Sequence, residues 1–180
     1  MKVLGLDPGS RRTGYGLVER SGNRFVALDH GTVAPRARLD LPHRLLEIAE
    51  RVSELVERHA PDCVVVEEAF YHESVRSTLV LGHVRGALLV AALRHGVEVS
   101  EYSPREIKQS VVGTGAATKE QVAFMVRRLL GIRGALPPDA ADALAAAMCH
   151  LHRARLSPPA RAATDAARRL EALLARRGRA

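Results

Sequence analysis

Four acidic residues sit where they could do chemistry together. Asp7 closes the apolar run KVLGLD and Glu67 closes the run CVVVE. Much later, PPDAADALAAAM sets Asp139 and Asp142 three residues apart, so on a helix both project from one face, in first turns whose macrodipole favours anions. Brought side by side, such carboxylates repel, and their pKa values rise unless a cation neutralises them. Donors that are all oxygen select hard ions, so Mg²⁺ or Mn²⁺ is implied rather than zinc. Two such ions about 4 Å apart activate water and stabilise the leaving oxygen of a phosphodiester. Each acid also has a plainer reading. Asp7 could begin a type II turn with Pro8 and Gly9, Asp139 could be a helix-start acid, Asp142 a solvated residue, and Glu67 with Glu68 an exposed strand end. Taken together, the four favour the metal site.

The elements that must position these acids follow from the apolar pattern. KVLGLD, TGYGLVER and RFVALDHGTV, the last two joined by SGN, read as three successive antiparallel strands. Leu45, Ile48, Val52, Leu55 and Val56 recur at helical spacing, with Glu47 and Arg51, and Glu54 and Arg58, expected as i,i+4 pairs on the solvent side. PDCVVVEE reads as a buried strand, residues 74–95 as a long apolar helix, and VEVSEY as a fifth strand. SPREIKQSVV and TKEQVAFMVRRLL open with capping boxes, Ser103 with Glu106 and Thr118 with Gln121, and Pro104 occupies a first helical position. The order is that of an α/β fold with an antiparallel start. A helical crossover lets the first and fourth strands lie parallel, which brings Asp7 and Glu67 to one rim.

Gly9, Gly14 and Gly16 leave backbone beside Asp7, which would let a phosphate chain approach; the alternative is that they are turn and bulge glycines. VVGTGAATKE lacks the GxxxxGK[ST] pattern, so nucleotide binding is not supported, although the capped helix start with Lys119 suits a polymer phosphate. Cys63 and Cys149 read as small core residues, in preference to a zinc site at Cys149, His150 and His152. The formal charge is +7, but eight arginines against Asp165 and Glu171 fall in residues 153–180. Residues 1–152 therefore carry nineteen basic and eighteen acidic residues. The expected organisation is one domain over 1–152 and a weakly helical or disordered Arg/Ala-rich tail over 153–180. No run of about 18 apolar residues and no secretory leader is evident, so a cytoplasmic protein with no membrane partner is expected.

DPGSRRTGYG, VVVEEAF, LGHVRGALLVAAL, YSPREIKQSVVG, TKEQVAFMVRRLL and PPDAADALAAAMCH resemble, in order, the RuvC family of bacterial Holliday-junction resolvases. The resemblance spans about residues 1–152. It implies a ribonuclease H-like mixed five-stranded sheet flanked by helices, a homodimer, and paired, symmetric, metal-dependent nicking of four-way DNA junctions in recombination and repair. It also implies a RuvAB-type branch-migration partner and Mg²⁺, with Mn²⁺ able to substitute, at two ions per site. The family's acidic quartet falls on Asp7, Glu67, Asp139 and Asp142. Phe70 matches an aromatic that meets bases near the branch point, and Tyr71 stands beside it. Lys108 and Lys119 match positions that face DNA, Arg76 is a further DNA candidate, and Arg85 is either that or structural. Ser74 stands where the family pattern has asparagine, which bears on base preference at the cut. Residues 74–95 match the family's dimer helix. The competing readings are a junction-binding architectural protein without catalysis, a fragment of a sugar-kinase or actin-like ATPase, and a YqgF-like protein.

Overall fold

A computed structural model describes residues 1–68 and 74–154. The chain runs β1 (Lys2–Asp7), β2 (Thr13–Ser21), β3 (Arg24–Val33), α1 (Leu41–His59), β4 (Cys63–Glu67), α2 (Val75–Leu93), β5 (Glu98–Tyr102), α3 (Pro104–Val112), α4 (Lys119–Leu130) and α5 (Pro138–Arg153). The strands form one sheet in the order β3-β2-β1-β4-β5. β1 pairs antiparallel with β2 and parallel with β4, and β4 pairs parallel with β5. The fold is therefore the expected mixed five-stranded sheet with flanking helices.

Strand alternation divides the core between the two faces of the sheet. Leu4, Leu6, Val64 and Val66 point toward α1 and α2, where Ile48, Val52, Val84 and Leu88 meet them. Val3, Cys63 and Val65 point toward α5 and its neighbours α3 and α4. α5 is sandwiched between the sheet and those two helices. Nearly all of it is buried, from Ala140 through Leu151.

Glycines decide how close α5 comes. A Cβ on Gly5 would lie 1.9 Å from the Ala143 carbonyl oxygen, one on Gly14 would lie 2.0 Å from that of Asp139, and one on Gly16 would lie 2.6 Å from Leu144 Cγ. The expectation that Gly14 and Gly16 clear room for a phosphate is thus corrected: that space holds α5 itself. Gly9 is a glycine because a Cβ there would be 2.0 Å from the Arg12 carbonyl oxygen. It is not among the glycines at positive φ, so a type II turn at Asp7-Pro8-Gly9 is excluded.

Both expected capping boxes form, and Ser74 caps α2 by accepting from the Ser77 amide. The charge pairing on α1 differs from the i,i+4 expectation. Glu47 takes Arg36 from the preceding loop, and Arg51 pairs with Glu54 at i+3. The loop after β3 passes alongside α1, so a tertiary partner displaces the local one.

Among the described residues α2 is the one helix long and apolar enough to span a bilayer by length and composition, although Arg76 and Arg85 interrupt its apolar run. It is apolar all round, yet only Val84, Leu88, Ala91 and Ala92 are buried. Val75, Leu79, Val90 and Leu93 remain about 60% exposed.

Candidate active site

The parallel register aligns Leu6 with Val66, which leaves Asp7 and Glu67 neighbours at the C-terminal ends of adjacent strands. Both follow the residues that face α5, Val3 and Gly5 in β1 and Cys63 and Val65 in β4, so both carboxylates project to the α5 side. α5 begins above them. Pro137 and Pro138 start the helix, Asp139 lies in its first turn, and the Asp139 backbone rests directly on Gly14. The tight glycine contacts thereby set the height of Asp139 and Asp142 over the strand ends.

The electrostatics record the convergence. Burial pushes Asp7 up to about 8, reinforced by the charges of Glu67, Asp142 and Asp139 and opposed by Lys119. Burial and Asp142 push Glu67 up to about 7, against Lys119 and Lys108. The Lys119 ammonium sits 2.9 Å from Asp142 Oδ2, and this hydrogen bond raises its pKa. Lys119 opens α4 behind the Thr118 cap, and Lys108 comes from the middle of α3. Together with Glu67, Asp142, Pro104, Ile107 and Val122, they line a cleft of about 170 Å³.

Among the described residues, no group of three His, Cys, Asp or Glu side chains is closed around a point so as to grip an ion. The donor chemistry nevertheless fits a hard divalent cation. Four carboxylate groups from three elements share one field, two of them are held above their ordinary range by burial and mutual repulsion, and one lysine partly offsets the charge. A divalent cation would relieve the repulsion that now favours protonation.

Of the other sequence candidates, Arg76 is exposed in the first turn of α2. Arg85 has a structural partner, its Nη2 lying 2.5 Å from Glu101 Oε1 on β5. Phe70 and Tyr71 lie outside the described residues, as does the tail from residue 155. Arg153, grouped with the tail in the sequence, belongs to the body: it pairs with Glu106 at 2.9 Å and stacks over the Tyr102 ring. The alternative zinc ligands diverge. Cys149 faces the Glu106 carbonyl, His150 meets the Tyr102 hydroxyl and His152 meets Ser110. Both cysteines are buried with their thiols pushed up, Cys63 to about 11, which makes them inert packing groups.

A mixed sheet of this order, carrying carboxylates at the ends of its two central strands and on a helix laid across them, defines a ribonuclease H-like nuclease. Residues 3–150 match the family model described as crossover junction endodeoxyribonuclease RuvC. The crossover junction endodeoxyribonuclease RuvC of Syntrophomonas wolfei is 46% identical over 158 residues, covering 87% of this chain and 92% of that protein. Its counterpart from Legionella pneumophila is 49% identical over 150 residues, covering 83% and 86%. The structure of Thermus thermophilus RuvC in complex with Holliday junction substrate superposes with a TM-score of 0.81 at 38% identity, covering 87% of this chain and 96% of that one. The chain belongs to the RuvC family of crossover junction endodeoxyribonucleases, hydrolases that resolve four-way DNA junctions. The ATPase-fragment and non-catalytic readings are not favoured by these matches.

Proposed function

We propose that Asp7, Glu67, Asp139 and Asp142 are the catalytic carboxylates of a junction resolvase and hold its divalent ions, two Mg²⁺ per site with Mn²⁺ able to substitute. The observation that carries this reading is the meeting of three separate elements at Asp7, a carboxyl lifted to about 8 by burial and the surrounding acids. Bound there, the ions would supply Lewis acidity and a water of lowered pKa. The chain's own residues do the positioning. Asp7 and Glu67 are fixed by the β1–β4 ladder, and Asp142 is fixed by α5 against the sheet. Lys119, anchored on Asp142 yet three-quarters exposed, offers its charge to a non-bridging phosphate oxygen, and Lys108 holds the strand along the same cleft. Phe70, Tyr71 and Arg76 follow the Glu67 strand end and are assigned to DNA near the branch point.

Two copies joined through the uncovered face of α2 would present two sites to a two-fold symmetric junction, which accounts for paired cuts in opposing strands. The exposed Val75, Leu79, Val90 and Leu93 support that homodimer. Residues 1–152, together with Arg153 at the end of α5, form the nuclease domain, and the rest of 153–180 forms an accessory basic tail. The enzyme acts in the cytoplasm with a RuvAB-type branch-migration complex.

The test is nicking of a labelled four-way junction beside linear duplex, with Mg²⁺ or Mn²⁺. Wild type should cut the junction in symmetric pairs. Asp7→Asn should lose roughly a thousandfold or more of the rate, equivalent to about 4 kcal/mol of transition-state stabilisation. Junction binding without cleavage by the wild type, with either metal and across several branch-point sequences, would overturn the reading in favour of an architectural protein.

A further inference from the structure

The loop between β1 and β2, residues 8–12, follows Asp7 directly, yet the roles assigned above leave it unused. Three contacts hold it. The fully buried Thr13 donates its hydroxyl to the Gly9 carbonyl at 2.9 Å, Arg44 of α1 donates Nη1 to the Ser10 carbonyl at 3.4 Å, and Gly9 packs so tightly on Arg12 that no Cβ fits. A segment held this firmly presents its side chains in a defined direction.

The side chains it presents are Arg11 and Arg12. Both are exposed, and neither takes part in an ion pair or hydrogen bond among the described residues. Nor are they turned in to neutralise the acids. The cation acting on Asp7 is Lys119 from a distant helix, although Arg11 and Arg12 lie four and five positions further along the same chain. The loop that carries the two arginines joins the Asp7 end of β1 to β2, whereas Lys108 and Lys119 line the cleft beside Glu67 of β4. Basic residues thus come to the acid cluster from two parts of the fold, and among the described residues Arg11 and Arg12 have no partner.

We propose that Arg11 and Arg12 are positioning residues that grip backbone phosphates of the DNA strand on the β2 side of the bond being cut. Guanidinium groups suit this role because their planar donors engage phosphate oxygens in pairs and stay charged at every working pH. With Lys108 and Lys119 holding the strand beyond the acids, the scissile phosphate would be suspended across the ends of β1 and β4. This inference rests on the junction-nuclease reading.

The experiment is equilibrium binding of a four-way junction in EDTA, across roughly 50 to 200 mM salt. It compares wild type, the double variant Arg11→Gln/Arg12→Gln and the double variant Arg11→Lys/Arg12→Lys, with thermal melts of each. Each lost phosphate contact should flatten the dependence of log K on log salt by about 0.9, so the Gln variant should lose nearly two units of slope. Its affinity at the lowest salt should drop at least tenfold, and its melting temperature should be unchanged. The Lys variant should recover the slope, because it restores the charge. An unchanged slope in the Gln variant, or an equal loss of slope in the Lys variant, would overturn the assignment. A wild type that does not bind the junction at all would instead overturn the nuclease reading on which the assignment rests.

Discussion

The two faces of the sheet are built on opposite rules. On one face α5, rich in alanine, is pressed so close to β1 and β2 that at Gly5, Gly14 and Gly16 no Cβ fits beneath it, and most of it is buried. On the other face α2, apolar all round, touches α1, β4 and β5 with one stripe and leaves Val75, Leu79, Val90 and Leu93 in solvent. The difference reflects what each helix carries. α5 brings Asp139 and Asp142 and is held by contacts that admit no Cβ on the strands below, whereas α2 brings no acid and leaves an apolar face bare. Close packing of small residues gives position; exposed large residues give area for association.

The largest effect that would break this comparison is the pH dependence of stability on the α5 face. The folded-state pKa of Asp7, about 8, lies above the ordinary 3.8, so between these values the folded state binds more protons than the unfolded one. Stability should therefore fall as pH rises through this window, by up to about 5 kcal/mol once Asp7 is ionised. Glu67, raised to about 7, acts in the same direction. Melts in EDTA from about pH 5 to about pH 9 should show the decline, Asp7→Asn should remove much of it, and added Mg²⁺ should oppose it. A flat profile in wild type would mean that the acids do not share a buried field.

Next is Gly5→Ala. The added methyl would collide with the Ala143 carbonyl, so α5 must lift from the sheet. Urea titration should show a loss of about 3 kcal/mol or more, with nicking reduced even at temperatures where the variant remains folded. On the opposite face, Leu79→Glu should leave the fold intact, because Leu79 is exposed. It should weaken self-association roughly a hundredfold, about 2.7 kcal/mol, as read by sedimentation equilibrium. The smallest effect sharpens the contrast most directly. Gly86→Ala has nothing within 4 Å of the new Cβ, so monomer stability should stay level or rise by up to about 1 kcal/mol, in contrast to Gly5→Ala.

Much of this was legible in the chain. The strand order, both capping boxes, the buried residues of α1 and the pairing of Asp7 with Glu67 at one rim follow from alternation, spacing and crossover rules. Other features were not. Gly14 and Gly16 looked like room for a ligand because a sequence does not say what fills the space a glycine leaves. Glu47 abandoned its helical neighbour for Arg36, and Arg153 left the tail for Glu106 and Tyr102, because in each case a tertiary partner competes with the local one. Arg11 and Arg12 were visible in the motif, but only the held loop distinguishes them from ordinary surface arginines.

By itself the sequence determined which residue types are available for the proposed chemistry and which segments become strands and helices, because residue type and local periodicity are properties of neighbours along the chain. Tertiary structure alone decided that Asp7, Glu67, Asp139 and Asp142 share one field, that Lys119 rather than an adjacent arginine answers it, and that α5 rather than a ligand lies on the glycines. Those outcomes depend on which surfaces lie within a few ångströms of each other, and dielectric burial, repulsion and steric exclusion act through that distance.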